Sequence, residues 1–433
     1  MRIDRLSVRN FRCFRDRTFD LDPSFNLFVG PNGSGKTSVL DALAVAAGTW
    51  LIGFPGYDSR PIRPDDVRIE SIEYDADIRF EPQYPVEIET DGLIMGQSLT
   101  WLRGLNGAGR RTTSGLSKKL KQIASQTARA VQSGSNETLP LISYYGTSRL
   151  WLEPRPRTRA KGPGKRSDRK RLSRPEAYRT SVDPRLSSAG LVEWIATQSW
   201  IEYQEGREQS IYAVVRRAIL DCLEGGRNMY FDPRRSEVIV SFDNQGRQPF
   251  ANLSDGQRSM LALVGDIAQK AVQLNPHLGD RVLQETPGLV LIDELEMHLH
   301  PSWQRRVVAD LKGVFPKIQF MCTTHSPQIL GEARRNEVIP LGSDSKRPLA
   351  TFGLSSDEIL ESVLLAPQRD KNVARLVDLV LERLDDLDVD AAELLLDKLR
   401  HQSESPSRLI TRLETRIGNT RALIADAAEE PRE

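Results

Sequence analysis

Apolar positions along this 433-residue chain follow two rhythms: short unbroken runs, and longer stretches at helical spacing. Phe25-Asn26-Leu27-Phe28-Val29 is a short run that stops at Gly30, as a strand buried on both faces does. Beyond it, Val39, Leu40, Leu43, Ala46 and Ala47 recur at helical spacing. Residues 1 to about 53 therefore read as strand, turn, strand, loop and helix. From 253 to about 340 the same alternation returns. Met260, Val264, Ile267, Ala271 and Leu274 share one helical face, and Leu289–Ile292 and Ile318–Cys322 predict strands.

The middle of the chain is less regular. Tyr84–Thr90 alternates like an exposed strand, residues 113–135 predict a polar helix, and Leu139–Tyr145 predicts a core strand. Residues 191–224 read as helical, and a hairpin-like pair follows around Asp243-Asn244-Gln245-Gly246. Between Tyr145 and the helical stretch from 191, ten of the twenty residues from Arg155 to Arg174 are Lys or Arg, with Gly, Pro and Ser interspersed. That composition cannot bury a core and predicts a mobile loop. Residues 356–427 are rich in Leu, Asp, Glu and Arg at helical spacing and predict a helical tail. Four segments result: 1–53, 54–250, 251–345 and 346–433.

The loops after the predicted strands carry the chemistry. Gly30-Pro31-Asn32-Gly33-Ser34-Gly35-Lys36-Thr37 matches G-x-x-x-x-G-K-[ST] between a strand and a helix. The glycines, with Asn32 and Ser38 beside them, let main-chain N–H groups approach phosphates at a helix N-terminus. Lys36 adds a point charge there, and the Thr37 hydroxyl suits Mg²⁺. Asp293-Glu294 follows a strand of four aliphatics. Asp293 is placed to hold Mg²⁺, and Glu294 to orient or deprotonate a water. ATP and Mg²⁺ are the implied substrate and ion.

Two further loops extend the site. In Leu253-Ser254-Asp255-Gly256-Gln257, Ser254 is a good N-cap and Gly256 permits close approach, so the helix that follows offers a second anion site. The phosphate loop already has one helix dipole, so this second one suits another nucleotide. His325, in Thr323-Thr324-His325-Ser326-Pro327, can donate to a γ-phosphate. Glu296-Met297-His298-Leu299-His300-Pro301 holds His, His and Glu within five residues, which suggests a metal site, but the segment lies where ATPases with these motifs make a dimer-interface loop.

Composition narrows the setting. A hydrophobic share of 39% and a charged share of 27% fit a soluble globular protein, and a net charge of +1 favours no class of partner. Cys13, Cys222 and Cys322 are scattered without zinc spacing, which suits a reduced compartment. The charged start, MRIDRLSVRNFRCFRD, lacks a signal-peptide core, and no apolar run approaches the ~20 residues of a membrane span. A cytoplasmic protein without a membrane segment is expected.

The four motifs, in this order and spacing, resemble the ABC-type ATPase heads of the SMC/RecF/OLD group, and Val8–Phe14 looks like that group's first strand. The resemblance implies an α/β P-loop ATPase head with an inserted α+β and helical region and a helical tail. It also implies ATP sandwiched between two heads, with Ser254 and Gly256 acting in trans on the partner copy's γ-phosphate. Leu253–Ala262, Leu274–Gly279, Glu285–Gly288, His298–Gln304 and Leu139–Arg149 further resemble the anti-phage ATPases of the PtuA type. These serve the Septu system and some retrons with an HNH nuclease partner, PtuB. Asp255 stands where many relatives carry glycine. The glutamine that many such heads use to sense Mg²⁺ has no clear motif here; Gln97, Gln122 and Gln126 are candidates.

The resemblance implies an ATPase subunit of a defence complex, acting as a homodimer or higher oligomer that regulates a nuclease partner. A DNA-repair or chromosome-maintenance ATPase of RecF or SMC type is the second reading. It draws on residues 155–174 as a DNA contact with a steep salt dependence, while the lack of a long heptad array disfavours an SMC arm. An OLD-type nuclease would need metal ligands after the ATPase. The only acidic cluster there, Leu384–Asp390, lies within helical periodicity.

Overall fold

The buried apolar runs become parallel strands. The computed structural model describes residues 1–74, 77–147, 149, 173–185, 188–206, 210–342, 350–364, 371–402 and 408–429. Strands β1 (Arg2–Phe11), β2 (Phe14–Asp20) and β3 (Phe25–Val29) lead into helix α1 (Lys36–Leu51). The hairpins β4 (Ile69–Tyr74)–β5 (Asp77–Pro82) and β6 (Val86–Ile94)–β7 (Gln97–Leu105) follow, then α2 (Lys118–Gln132) and β8 (Leu141–Tyr145). Helices α3 (Ser188–Glu205) and α4 (Ser210–Cys222) precede strands β9 (Gly226–Asp232), β10 (Glu237–Phe242) and β11 (Gly246–Pro249). Next come α5 (Asp255–Leu274), α6 (Val282–Glu285), β12 (Gly288–Ile292), α7 (Pro301–Gln304) and α8 (Val307–Val314). The series continues with β13 (Ile318–Thr323), α9 (Pro327–Gly331), β14 (Val338–Pro340), α10 (Ser356–Ser362), α11 (Lys371–Asp385), α12 (Val389–Gln402) and α13 (Arg408–Glu429).

One all-parallel sheet runs in the order β14-β3-β13-β12-β8. Every residue of β3, β8, β12 and β13 is buried, which is why these strands read as unbroken apolar runs. The phosphate loop leaves β3, the acidic pair leaves β12, and Thr323-Thr324-His325 ends β13. All three emerge at the carboxyl edge of the sheet, where α/β folds bind ligands. Because β13 lies between β3 and β12, its last residue stands between the phosphate loop and the acidic pair.

A second sheet, antiparallel β2-β1-β6-β7, packs with the parallel one around α1. Helix α1 is buried along nearly its whole length, including Ala44, Val45, Gly48 and Thr49 outside the face read from spacing. A helix covered on both sides carries no polar stripe. Gln319, buried in β13, joins the sheets: it accepts from the Ile3 N–H at 2.8 Å and donates to the Ile3 carbonyl at 2.7 Å. Strand β2 was not anticipated. Its exposed Arg15 and Asp16 and half-buried Arg17 interrupt the apolar pattern and mask the buried Phe14 and Phe19 that pair it with β1. The hairpin expected near residue 243 is a three-stranded sheet, with β9 completing the order β11-β10-β9.

The chain forms two compact units, Met1–Ser356 and Asp357–Glu433. In the second, α11, α12 and α13 bury Val380, Leu384, Ala392, Leu399 and Leu413 in a core of their own. The acidic stretch there joins the end of α11 to the start of α12: Asp388 accepts from the Ala391 N–H at 3.1 Å, and Asp385 pairs with Arg416 at 3.2 Å. Of the basic run, 155–172 lie outside the described residues. Arg174, placed by sequence at the end of a mobile loop, is fixed instead, with Nε 2.7 Å from the Leu274 carbonyl and Nη1 2.9 Å from that of Ser135.

Four charges brace the start of the phosphate-loop lobe. Arg60 bonds Asp66 through both ends of its guanidinium at 2.9 and 3.2 Å and reaches Asp41 on α1 at 2.9 Å. Arg12 bridges the same two carboxylates. Burial pushes Asp41 up. Burial acts on Asp66 in the same sense, but the bonds from Arg60 and the Arg63 N–H hold it below the usual carboxylate value. Replacing Asp66 by Ala leaves Arg60 buried with half its partners, so urea unfolding should show a loss of about 3–5 kcal/mol. The stabilisation from Asp66 should be complete above about pH 4 and fade as the pH falls towards its lower folded value. An unfolding midpoint unchanged by Asp66→Ala contradicts the bracing role.

Candidate functional site

The phosphate loop is shaped by glycine where no other residue fits. Gly35 has φ +95°, and a Cβ there would lie 2.5 Å from Cys13 Sγ and 2.6 Å from Phe14 Cζ. The β1–β2 turn thus presses against the start of α1. Asn32, Gly33 and Thr37 are exposed, and Ser38 is buried in the first turn of α1. Lys36 Nζ donates to the carbonyls of Gly30 and Pro31, each at 2.9 Å, folding the ammonium back over its own loop. Burial lowers its pKa, while the carboxylates of Asp293, Glu294 and Glu296 oppose that shift. The cation therefore stands in a field of three acids, close to where phosphates would enter.

The acidic pair is held by hydroxyls from two other segments. Thr37 Oγ1 donates to Asp293 Oδ2 at 2.9 Å, and Thr323 Oγ1 donates to Asp293 Oδ1 at 2.6 Å. The Thr323 oxygen also accepts the Glu294 N–H at 2.7 Å. One carboxylate thus ties the ends of β3, β13 and β12 together. Glu294 has φ +50°, a left-handed conformation rare outside glycine, and its side chain is half-buried. Thr37 and Asp293 present two hard oxygen donors side by side, a set that fits Mg²⁺ supplemented by water and phosphate oxygens.

Spacing did not single out Thr323 or Arg149, and it marked Glu296 only as one of three metal-ligating residue types. Arg149, 2% exposed, donates to the main-chain carbonyls of Asp293 at 2.6 Å and Glu294 at 2.8 Å. Glu296 Oε1 accepts the His325 N–H at 2.5 Å, so the loop after β12 holds the loop after β13. The metal-like spacing of Glu296, His298 and His300 forms no shared site. His300 Nδ1 lies 2.9 Å from Ser302 Oγ, and among the described residues no three metal-ligating side chains converge. Gln97, Gln122 and Gln126 are all exposed and make no described hydrogen bond to these loops.

Ser254 and Gly256 lie in a different place from the phosphate loop. Ser254 caps α5 in a reciprocal box with Gln257: the Gln257 N–H donates to Ser254 Oγ at 3.2 Å, and Gln257 Oε1 accepts the Ser254 N–H at 2.9 Å. Asp255 pairs with Arg258 on the same turn. A Cβ at Gly256 would lie 2.6 Å from the His298 carbonyl, so the helix end packs against the loop after the acidic pair. Together they line an open cleft of about 960 Å³ with Asn244, Gln245, His298 and Trp303. None of residues 30–37 lines it.

A glycine-rich loop and lysine after a parallel strand, with an aspartate–glutamate pair on another strand of the same sheet, define a P-loop ATPase fold. The family described as "AAA domain" matches residues 5–192, and that described as "AAA domain, putative AbiEii toxin, Type IV TA system" matches residues 127–331. Among curated proteins, the chain is 34% identical to the Retron Ec83 probable ATPase of Escherichia coli over 36% of its length, and 49% identical to the Retron Vc95 probable ATPase of Vibrio cholerae over 18%. It is 34% identical to the Septu protein PtuA of Bacillus thuringiensis over 30% of its length. The ATPase core is thus related to those of PtuA and of retron ATPases. These matches cover 28%, 15% and 35% of the three proteins, so the chain spans about a third or less of the curated relatives it matches. The SMC head domain from Thermotoga maritima is 17% identical, with a TM-score of 0.45, over 78% of this chain and 94% of that one.

The bridge through Thr323 can be tested. Thr323→Val keeps the shape but leaves a buried Asp293 oxygen and the Glu294 N–H without their shared partner. A stability loss of roughly 1–3 kcal/mol is expected on urea unfolding, with at least about tenfold slower ATP turnover. Wild-type values for both contradict the bridge.

Proposed function

We propose that this chain hydrolyses ATP as a dimer, in the cytoplasm, and serves an anti-phage defence complex by regulating a partner HNH nuclease. The observation that carries the dimer is the cleft at the N-terminus of α5. It offers an anion-binding helix end away from the chain's own phosphate loop. A second copy would bring its nucleotide there, within reach of Ser254 and Gly256. The defence role is supported by the likeness to PtuA and the retron ATPases, and the nuclease partner is what the motif resemblance implies.

In this reading Lys36 leaves the Gly30 and Pro31 carbonyls to meet the phosphates, and the phosphate-loop N–H groups cradle them. Mg²⁺, held by Thr37 and Asp293, would neutralise charge on the phosphate oxygens. Glu294 accepts a proton from the water that attacks the γ-phosphorus, the bond to the bridging oxygen breaks, and ADP leaves. His325 donates to the γ-phosphate, so its position reports whether that group is present. ATP closes the dimer because it binds the closed form better, and hydrolysis reopens it. The closed form restrains the nuclease, and ATP depletion releases it.

A second reading, a DNA-clamping ATPase, draws on shorter matches to a Rad50 ATPase of Halobacterium salinarum and to RecF proteins, over 19% and 10% of this chain. It shares the ATP chemistry and differs in the partner.

Glu294→Gln tests the proposal. It should bind ATP normally and hydrolyse it about a hundredfold or more slowly, and light scattering with Mg²⁺-ATP should show a lasting dimer. A variant that turns over at the wild-type rate, or stays monomeric with ATP bound, contradicts it.

A further inference from the structure

Arg149 is a charged side chain buried in the head with no ion pair among the described residues. It is 2% exposed, and its donors go to main-chain oxygens: Nη1 to the carbonyls of Asp293 at 2.6 Å and Gly146 at 3.2 Å, and Nη2 to that of Glu294 at 2.8 Å. Its Nε has no partner among the described residues. Burying a guanidinium this way is costly, and an apolar side chain would fill the space more cheaply. Burial pulls its pKa down to about 10, against the pull of Asp293, Glu296 and Glu294, so it remains charged at neutral pH.

The bonds explain why a charge is kept there. Closing the turn after β8 needs only the Gly146 carbonyl. The other two bonds reach the loop after β12, which is anchored beside β8 by the Asp293 N–H to the Tyr145 carbonyl at 2.8 Å. Glu294 is thereby held on both sides of its Cα. Thr323 Oγ1 takes its N–H at 2.7 Å, and Arg149 takes its carbonyl. A left-handed glutamate is strained and persists only where its surroundings over-determine it.

We infer that Arg149 is the positioning residue for Glu294, fixing the general base in its left-handed conformation through main-chain bonds and setting a positive charge behind the acidic pair. This rests on the reading of Glu294 as the base of an ATPase. Arg149 itself touches no reacting atom. It acts on turnover and leaves nucleotide binding, which falls to Lys36 and the phosphate loop, largely alone.

The test uses the full chain as wild type, Arg149→Met, Arg149→Lys and, as a control, Lys36→Ala. The readouts are kcat, KM, affinity for a non-hydrolysable ATP analogue, and Tm. Arg149→Met should keep KM and analogue affinity within about threefold of wild type while kcat falls about a hundredfold. Arg149→Lys, which can still donate to a carbonyl, should recover part of kcat. If Arg149→Met does not fold, Arg149→Lys and the rescue of Arg149→Ala by added guanidinium ion carry the test, again through kcat at unchanged KM. A kcat equal to wild type in Arg149→Met overturns the inference. So does a parallel fall of analogue affinity, kcat and Tm without recovery in Arg149→Lys, which a packing role would give. A wild type no faster than Lys36→Ala overturns the ATPase reading itself, and this inference with it.

Discussion

Asp293 binds three segments of the chain with one carboxylate, and the geometry of the head follows from that. One oxygen takes the Thr37 hydroxyl from the helix after the phosphate loop, and the other takes the Thr323 hydroxyl from the middle strand. The strand order places β13 between β3 and β12, so the end of β13 stands beside both neighbours. Thr323 also holds the Glu294 N–H. A buried carboxylate needs such partners, and here they are groups that ATP chemistry would itself use. The bonds that stabilise the sheet edge also set the positions of the candidate metal ligand and the candidate base.

Around that point the molecule keeps charge under tension. Lys36, Arg149, Asp293, Glu294 and Glu296 lie near one another, with Lys36 turned back onto its own loop. The phosphate loop is pressed from below by Cys13 and Phe14, and the lobe carrying it is braced by Arg12, Arg60, Asp41 and Asp66. A stiff cradle suits a ligand whose binding must do work on a second copy. In the proposed dimer, that second copy would bring its nucleotide to the capped N-terminus of α5, which opens on a cleft that none of residues 30–37 lines.

What was legible in the sequence was local. The phosphate loop, the acidic pair and the Ser254 cap are each written within a few consecutive residues, where the chemistry depends on near neighbours. The parallel strands were legible because burial on both faces leaves no alternation to misread. Relations across the sheet were not. Arg149 reaches Asp293 from 144 residues away, and a lone arginine after Gly-Thr-Ser has no spacing that announces its target. Thr323 reads as an ordinary strand end until the strand order is known. Helix α1 was expected to show one apolar face and is covered nearly all round, because two sheets pack on it. Strand β2 was hidden by its outward charges. No local pattern marked a glutamine that senses the metal, and the three candidates are exposed.

The central claim is that each ATP site is built from the phosphate loop of one copy and the α5 end of another. Mixing two inactive variants tests it most directly. Lys36→Ala lacks a working phosphate loop, and Ser254→Arg blocks the cleft. In a mixed dimer, one site carries both defects and the other carries neither. The account predicts that each variant alone is inactive and that the mixture regains ATP turnover of about a quarter of the wild-type rate, the share expected from random pairing of two-site dimers. A mixture that stays inactive while mixed dimers demonstrably form, or a Ser254→Arg variant that hydrolyses ATP on its own, contradicts it.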